Sequence, residues 1–175
     1  MTTQANEKLE VIQRVSRRLK SFFILLAVGT LGGTLAMLLG DHPDVRIAGV
    51  RFASAELTGT VRALWVGASV LIAAVLLKLC FHLIKLFGLY SQGKIFTQQN
   101  VAQIRQVGVS LLLLPAVWLL AAVGAASQSE ASPDLWSLLV TSFPFAGLVG
   151  GGTIMPIAWI MDAGCELREE HELVI

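Results

Sequence analysis

The stretch SFFILLAVGTLGGTLAMLLG, Ser21 to Gly40, carries no charged residue. A helix needs about 20 mostly apolar residues to cross a hydrocarbon core about 30 Å thick, so this run is long enough to span a bilayer as it stands. No other feature limits the possible fold as strongly, and it recurs. From Ala63 the chain reads ALWVGASVLIAAVLLKLCFHLIKLF, interrupted only near its end by Lys78, His82 and Lys85. Val107 to Ala126 is a third such run, and a fourth extends without charge from Asp134 to Asp162. Apolar residues make up 55% of the chain and charged residues 14%, with a mean hydropathy of +0.72, which is not the composition of an ordinary soluble domain. A net charge of +1 gives no basic excess for general nucleic-acid binding, so none is expected.

The fourth run contains Pro144, Pro156 and the triplet Gly150, Gly151 and Gly152. Ser132-Pro133-Asp134 reads as an N-cap with proline at the first helical position, and Pro144 then marks an end or a kink. Two readings follow: an interfacial helix over residues 133–142 followed by the span proper, or one long kinked helix. The expected architecture is an all-α integral membrane protein, a single four-helix membrane domain over residues 1–175. Its spans fall at about residues 21–40, 63–87, 107–126 and 144–167. Between the first two spans, Val45, Ile47, Val50 and Phe52 alternate about Ala48-Gly49, which predicts a small β-hairpin at about residues 44–54. It is read as a lid on the bundle, or as a surface for a partner or anionic lipid.

The flanking charges orient the spans. Lys8, Arg14, Arg17, Arg18 and Lys20 precede the first, and Lys78, Lys85, Lys94 and Arg105 surround the connection between the second and third. The opposite connections hold Arg46, Arg51 and Arg62 in one and no cation in SQSEASPD. By the positive-inside rule both termini face the cytoplasm, and the hairpin faces the other side. The opening residues do not read as a cleavable signal, because they are too long and too charged for an n-region. Beyond the membrane, three segments are amphipathic on the cytoplasmic side. Leu9, Ile12, Val15 and Leu19 form a stripe before the first span; Val101, Ile104 and Gly108 form one opposite Gln99, Gln103 and Gln106. The chain closes on WIMDAGCELREEHELVI, with an acidic side at Asp162, Glu166, Glu169 and Glu170 and a tail at residues 168–175.

The connection GLYSQGKIFTQQNVAQIRQVG carries the densest local signals. Gly93 permits a left-handed turn, Thr97 is placed to cap a helix beginning at Gln98, and Phe96 is placed as a staple against Val101. Asn100 stands where a capping box has Glu or Gln. Gly93, Phe96, Thr97, Gln99, Asn100, Gln103 and Arg105 therefore form a candidate cytoplasmic interaction site.

The run YSQGKIFTQQNVAQIRQVG after a second span, together with DAGCELREEHELVI after a fourth, resembles the bacterial domain-of-unknown-function 2975 family. The Gly-x-x-Phe-Thr-x-x-Asn turn is the distinctive part. The resemblance implies a four-span inner-membrane protein, often encoded beside a small helix-turn-helix regulator, without an established activity. It supplies no catalytic residue to carry over.

Other constellations come from spacing. Lys78, His82 and Lys85 stand at i, i+4 and i+7, and Asp162, Glu166 and Glu169 repeat that spacing on the fourth helix. The stripes either face each other at matching depth, lowering the desolvation cost of the cations, or remain separate, with the lysines snorkelling. Gly29 with Gly33, Ala63 with Gly67, and Gly147 with Gly151 are pairs that let helices approach closely, within one bundle or across a homo-oligomer seam. Gly150, Gly151, Gly152 and Pro156 are a candidate helix break, where a cavity would open in a small transporter or lipid-binding module.

Metal, redox and catalytic signals are weak. Asp41-His42-Pro43-Asp44 has no second ligand cluster, Cys80 and Cys165 lack CxxC spacing, and His82 has no second histidine at its depth for haem. There is no nucleophile elbow, HExxH, phosphate loop or pair of intramembrane acids. The expected function is non-enzymatic and cofactor-free: an inner-membrane protein, structural or regulatory through its cytoplasmic rim. Its partners are the lipid bilayer, a cytoplasmic protein and further copies of itself.

Overall fold

The computed structural model describes residues 2–40, 44–47, 50–53, 59–93, 97–128 and 143–172. Helix α1 runs Thr2–Leu39, strands β1 and β2 run Asp44–Ile47 and Val50–Ala53, and helices α2, α3 and α4 run Gly59–Ser91, Gln98–Ala126 and Phe145–Glu172. Among the described residues, four helices are long and apolar enough to cross a membrane, over Glu10–Leu39, Gly59–Ser91, Gln98–Ala126 and Phe145–Cys165. Each extends beyond the charge-free run that marks it. Backbone hydrogen bonds favour continuing a helix past the apolar segment wherever no glycine or proline intervenes. The 38-residue α1 is the extreme case. At 1.5 Å per residue it is about 57 Å long, nearly twice the hydrocarbon thickness.

The helices pack in chain order as antiparallel neighbours, α1 on α2, α2 on α3 and α3 on α4. Successive side-chain contacts fix the register. Phe23 of α1 stacks on Phe87 of α2 with ring centroids 5.6 Å apart, Leu64 of α2 lies against Gly124 of α3, and Met155 of α4 lies against Gly108 of α3. One end of the bundle therefore carries the strands, and the other carries the turn after α2. Large apolar side chains remain exposed along the spans, including Leu25, Val28, Leu120, Trp159 and Ile160. Such surface suits lipid tails and is unsuited to water.

The strands pair antiparallel, with Val45 opposite Phe52 and Ile47 opposite Val50. Ile47 and Phe52, each 2% exposed, form a core cluster with Val61 and Trp65 of α2 and Ala121 and Ala125 of α3. Two strands alone do not bury enough to persist, so this apolar contact with the helices holds the pair in place. Residues 48 and 49, the interfacial helix expected at 133–142 with Pro133 and Trp136, and the Asp41-His42-Pro43 segment lie outside the described residues.

The expected break at Gly150, Gly151, Gly152 and Pro156 is corrected by the structure: α4 runs as one helix through all four positions. Gly151, with Gly147, serves close approach instead, whereas a Cβ on Gly152 would meet nothing within 4 Å. A Cβ on Gly151 would stand 2.9 Å from the Gly108 carbonyl oxygen of α3, and one on Gly147 would stand 2.9 Å from the Leu111 carbonyl oxygen. Pro115, buried in α3, has no N–H to donate back to Leu111, so α4 lays a bare glycine backbone where α3 carries a carbonyl released from its own ladder. Ser110, 0% exposed, satisfies its hydroxyl by donating to the Gln106 carbonyl at 2.8 Å. The buried line of α4 is Gly147, Gly151, Ala158 and Cys165, all small. Ile160, by contrast, is exposed. Of the stripe at the start of α1, Ile12 and Val15 are exposed and Leu19 is half-buried, and Ser16 is the buried position there.

Candidate functional site

At the turn end of the bundle, α2 closes with short-range bonds. The Ser91 hydroxyl donates to the Gly88 carbonyl at 2.7 Å, and the Gly93 N–H donates to the Tyr90 carbonyl at 3.0 Å. Gly93 then takes φ 76°, a left-handed conformation that a Cβ would strain. Thr97 begins α3 in extended conformation, φ −138° and ψ 150°, and its hydroxyl accepts from the Asn100 N–H at 3.4 Å. These features satisfy donors that a helix start leaves open. Phe96 lies outside the described residues.

The first turns of α3 divide sharply between inside and outside. Asn100 is 0% exposed and Val101 6%, so Asn100, three positions after the cap, is a core residue of the turn and not a contact surface. Gln99, Arg105 and Gln106 are exposed. Gln103, expected beside Gln99 on the outer face, turns toward α2, where His82 Nδ1–H donates to Gln103 Oε1 at 2.8 Å. The histidine that spacing grouped with Lys78 and Lys85 is thus a strut between α2 and α3.

That strut bears on the matched charge stripes. Helix α3 packs against both α2 and α4, and α2 finds its other neighbour in α1. His82 is engaged by Gln103, and Lys85 Nζ lies 4.3 Å from the centre of the Phe81 ring, a cation–π contact on its own helix. Helix α3 thus lies between α2 and α4 in the packing order, and His82 and Lys85 find these contacts on α3 and on α2 itself. Spacing alone could not reveal this, because both helices run in the same direction and share the same period. The side chains of Glu166 and Glu169 lie outside those described.

A second convergence was not anticipated. Lys20 of α1 comes down on α2, its Nζ 4.0 Å from where a Cβ on Gly88 would stand. It shares a cavity of about 460 Å³ with Lys85, Gln92, Gln99 and Gln103. The signal was available in the charge pattern. Lys20 opens the first apolar run and Lys85 nearly closes the second, so antiparallel neighbours must hold them at similar depth.

With this geometry in view, comparison places the chain among known proteins. A family model described as "Protein of unknown function (DUF2975)" matches residues 47–175. The chain belongs to this family. The DUF2975 match takes in the second strand, α2, the capped turn, α3 and α4, and so contains both segments that carry the resemblance; α1, which supplies Lys20, precedes it. No curated protein and no solved structure matches the chain. Among the described residues no group of three or more His, Cys, Asp or Glu is placed to hold a metal ion, and Cys80 and Cys165 are buried free thiols.

Proposed function

We propose that this DUF2975 protein is a non-enzymatic, multi-pass protein of the bacterial inner membrane that acts structurally or as a regulator by presenting its turn end to a cytoplasmic protein. The positive-inside distribution supports the orientation: Lys20, Lys85 and Arg105 gather at the turn end, together with Arg14, Arg17 and Arg18 of α1. Both termini then face the cytoplasm and the strands face the opposite compartment.

The observation that carries the reading is the contrast along the first turns of α3. Buried Asn100, the Thr97 cap and the His82–Gln103 hydrogen bond fix the helix start, while Gln99 and Arg105 stand exposed on it. A rigid element offering exposed polar side chains suits recognition, because little side-chain and backbone entropy remains to be lost on binding. Exposed sites of this kind carry little folding energy, so they can be changed without unfolding the bundle. The test is the double variant Gln99→Glu/Arg105→Glu, followed by affinity capture from native membranes. Loss of a captured cytoplasmic protein, with insertion and melting temperature unchanged, is the expected result. Identical capture by the variant and the unaltered chain would remove this face from any role.

A further inference from the structure

The groove between α1, α2 and the start of α3 has a composition that a protein partner does not require. Two ammonium groups from different helices, Lys20 and Lys85, line it with the carboxamides of Gln92, Gln99 and Gln103. Among the described residues no carboxylate lines it. Cations at the edge of a hydrocarbon layer, without an acidic neighbour, are stabilised by an anion brought to them. Gly88 forms part of the floor, where the Lys20 ammonium lies 4.0 Å from the Cβ position, leaving no room for a side chain longer than a methyl group. Gln103 is already oriented: its Oε1 accepts from His82, which leaves the amide N–H₂ to donate elsewhere.

The geometry points to a binding site for the phosphate of an anionic phospholipid headgroup, held by Lys20 and Lys85 with donors from Gln99 and Gln103. A lipid is favoured over free phosphate because apolar surface adjoins the cations. Phe81, beneath Lys85, is 52% exposed, and Ile24, one helical turn after Lys20, is 45% exposed. A headgroup carrying acyl chains fills both the charged groove and its apolar flank; inorganic phosphate fills only the first. The site differs from the protein-binding face proposed at Gln99 and Arg105 in ligand, and it holds whichever side of the membrane the turn occupies.

The test uses the purified full-length chain, with no partner protein present, so its outcome is separate from that of the capture experiment. Native mass spectrometry would compare retention of phosphatidylglycerol and of zwitterionic phosphatidylcholine after delipidation and re-addition. The unaltered chain is expected to hold phosphatidylglycerol preferentially. Lys20→Gln/Lys85→Gln should weaken this at least about tenfold, since each surface cation near an anionic bilayer contributes roughly fivefold or more. Gly88→Leu keeps both charges and improves helix propensity, but fills the floor and should weaken retention as well. Lys20→Arg/Lys85→Arg should keep it, as should Arg62→Gln at the far end of α2. Undiminished retention in both the Lys20→Gln/Lys85→Gln and Gly88→Leu variants would overturn the assignment. So would millimolar inorganic phosphate displacing the lipid, which would mark a site for the free anion.

Discussion

The two ends of this bundle are built from opposite materials. At the strand end, Ile47 and Phe52 close over Trp65, Val61 and two alanines of α3, and the apolar contact holds the strands in place. At the turn end, glycine, a threonine cap and a buried asparagine shape the backbone, and lysines, glutamines and an arginine occupy the surface. The first end fastens the helices together. The second packs Phe23 on Phe87 and buries Val101 beneath the turn, and keeps its polar groups available at the surface. On the proposed function, stability and recognition separate along the length of one small membrane bundle, and substitutions should separate in the same way.

The largest effect is expected at the strand end. Phe52→Ala removes a ring from a fully packed cluster and should lower unfolding free energy by about 3–5 kcal/mol in denaturation assays, while cytoplasmic capture by the folded fraction persists. If capture vanished without a loss of stability, the division between the ends would be wrong. A smaller effect tests the seam that joins them. Gly151→Leu drives a side chain into the Gly108 carbonyl and Leu112, for about 1–3 kcal/mol of destabilisation; Gly33→Leu, with nothing within 4 Å of its Cβ position, should change stability by less than about 0.5 kcal/mol. A strong effect at Gly33 would instead indicate that α1 meets another copy of the chain through its glycine face. Smallest and most local are the turn substitutions. Gly93→Ala and Thr97→Ala should each cost about 1 kcal/mol and speed amide exchange over residues 98–101, leaving exchange at Ala121 to Ala125 unchanged. Equal acceleration at both ends would show that they unfold as one unit.

Much of this architecture was legible because its signals are local or additive. Runs without charge located all four long helices, Gly93 and Thr97 announced the turn and the cap, and alternation about Ala48-Gly49 put Ile47 and Phe52 on a common face. The errors share a different cause. Gly150 to Gly152 suggested a break because glycine weakens a helix, but α4 continues through all three, and Gly151, with Gly147 one turn earlier, lets it approach the backbone of α3. Matching spacing left open whether Lys78, His82 and Lys85 face Asp162, Glu166 and Glu169, because periodicity within a helix does not say which helix lies next to it. Buried Asn100 and the His82–Gln103 bond were likewise invisible, since both depend on the rotation of α3 about its own axis. Identical small-residue spacing leads to contact at Gly147 and Gly151 and to open space at Gly29 and Gly33.

The most direct measurement is site-specific photocrosslinking in native membranes, with the reactive group placed at exposed Gln99 and, as the opposite-end control, at exposed Gln128. A discrete cytoplasmic protein joined from Gln99 and absent from Gln128 is the predicted result. The same adducts from both positions, or only lipid and self-crosslinks from Gln99, would contradict the claim that the turn end recognises a cytoplasmic protein.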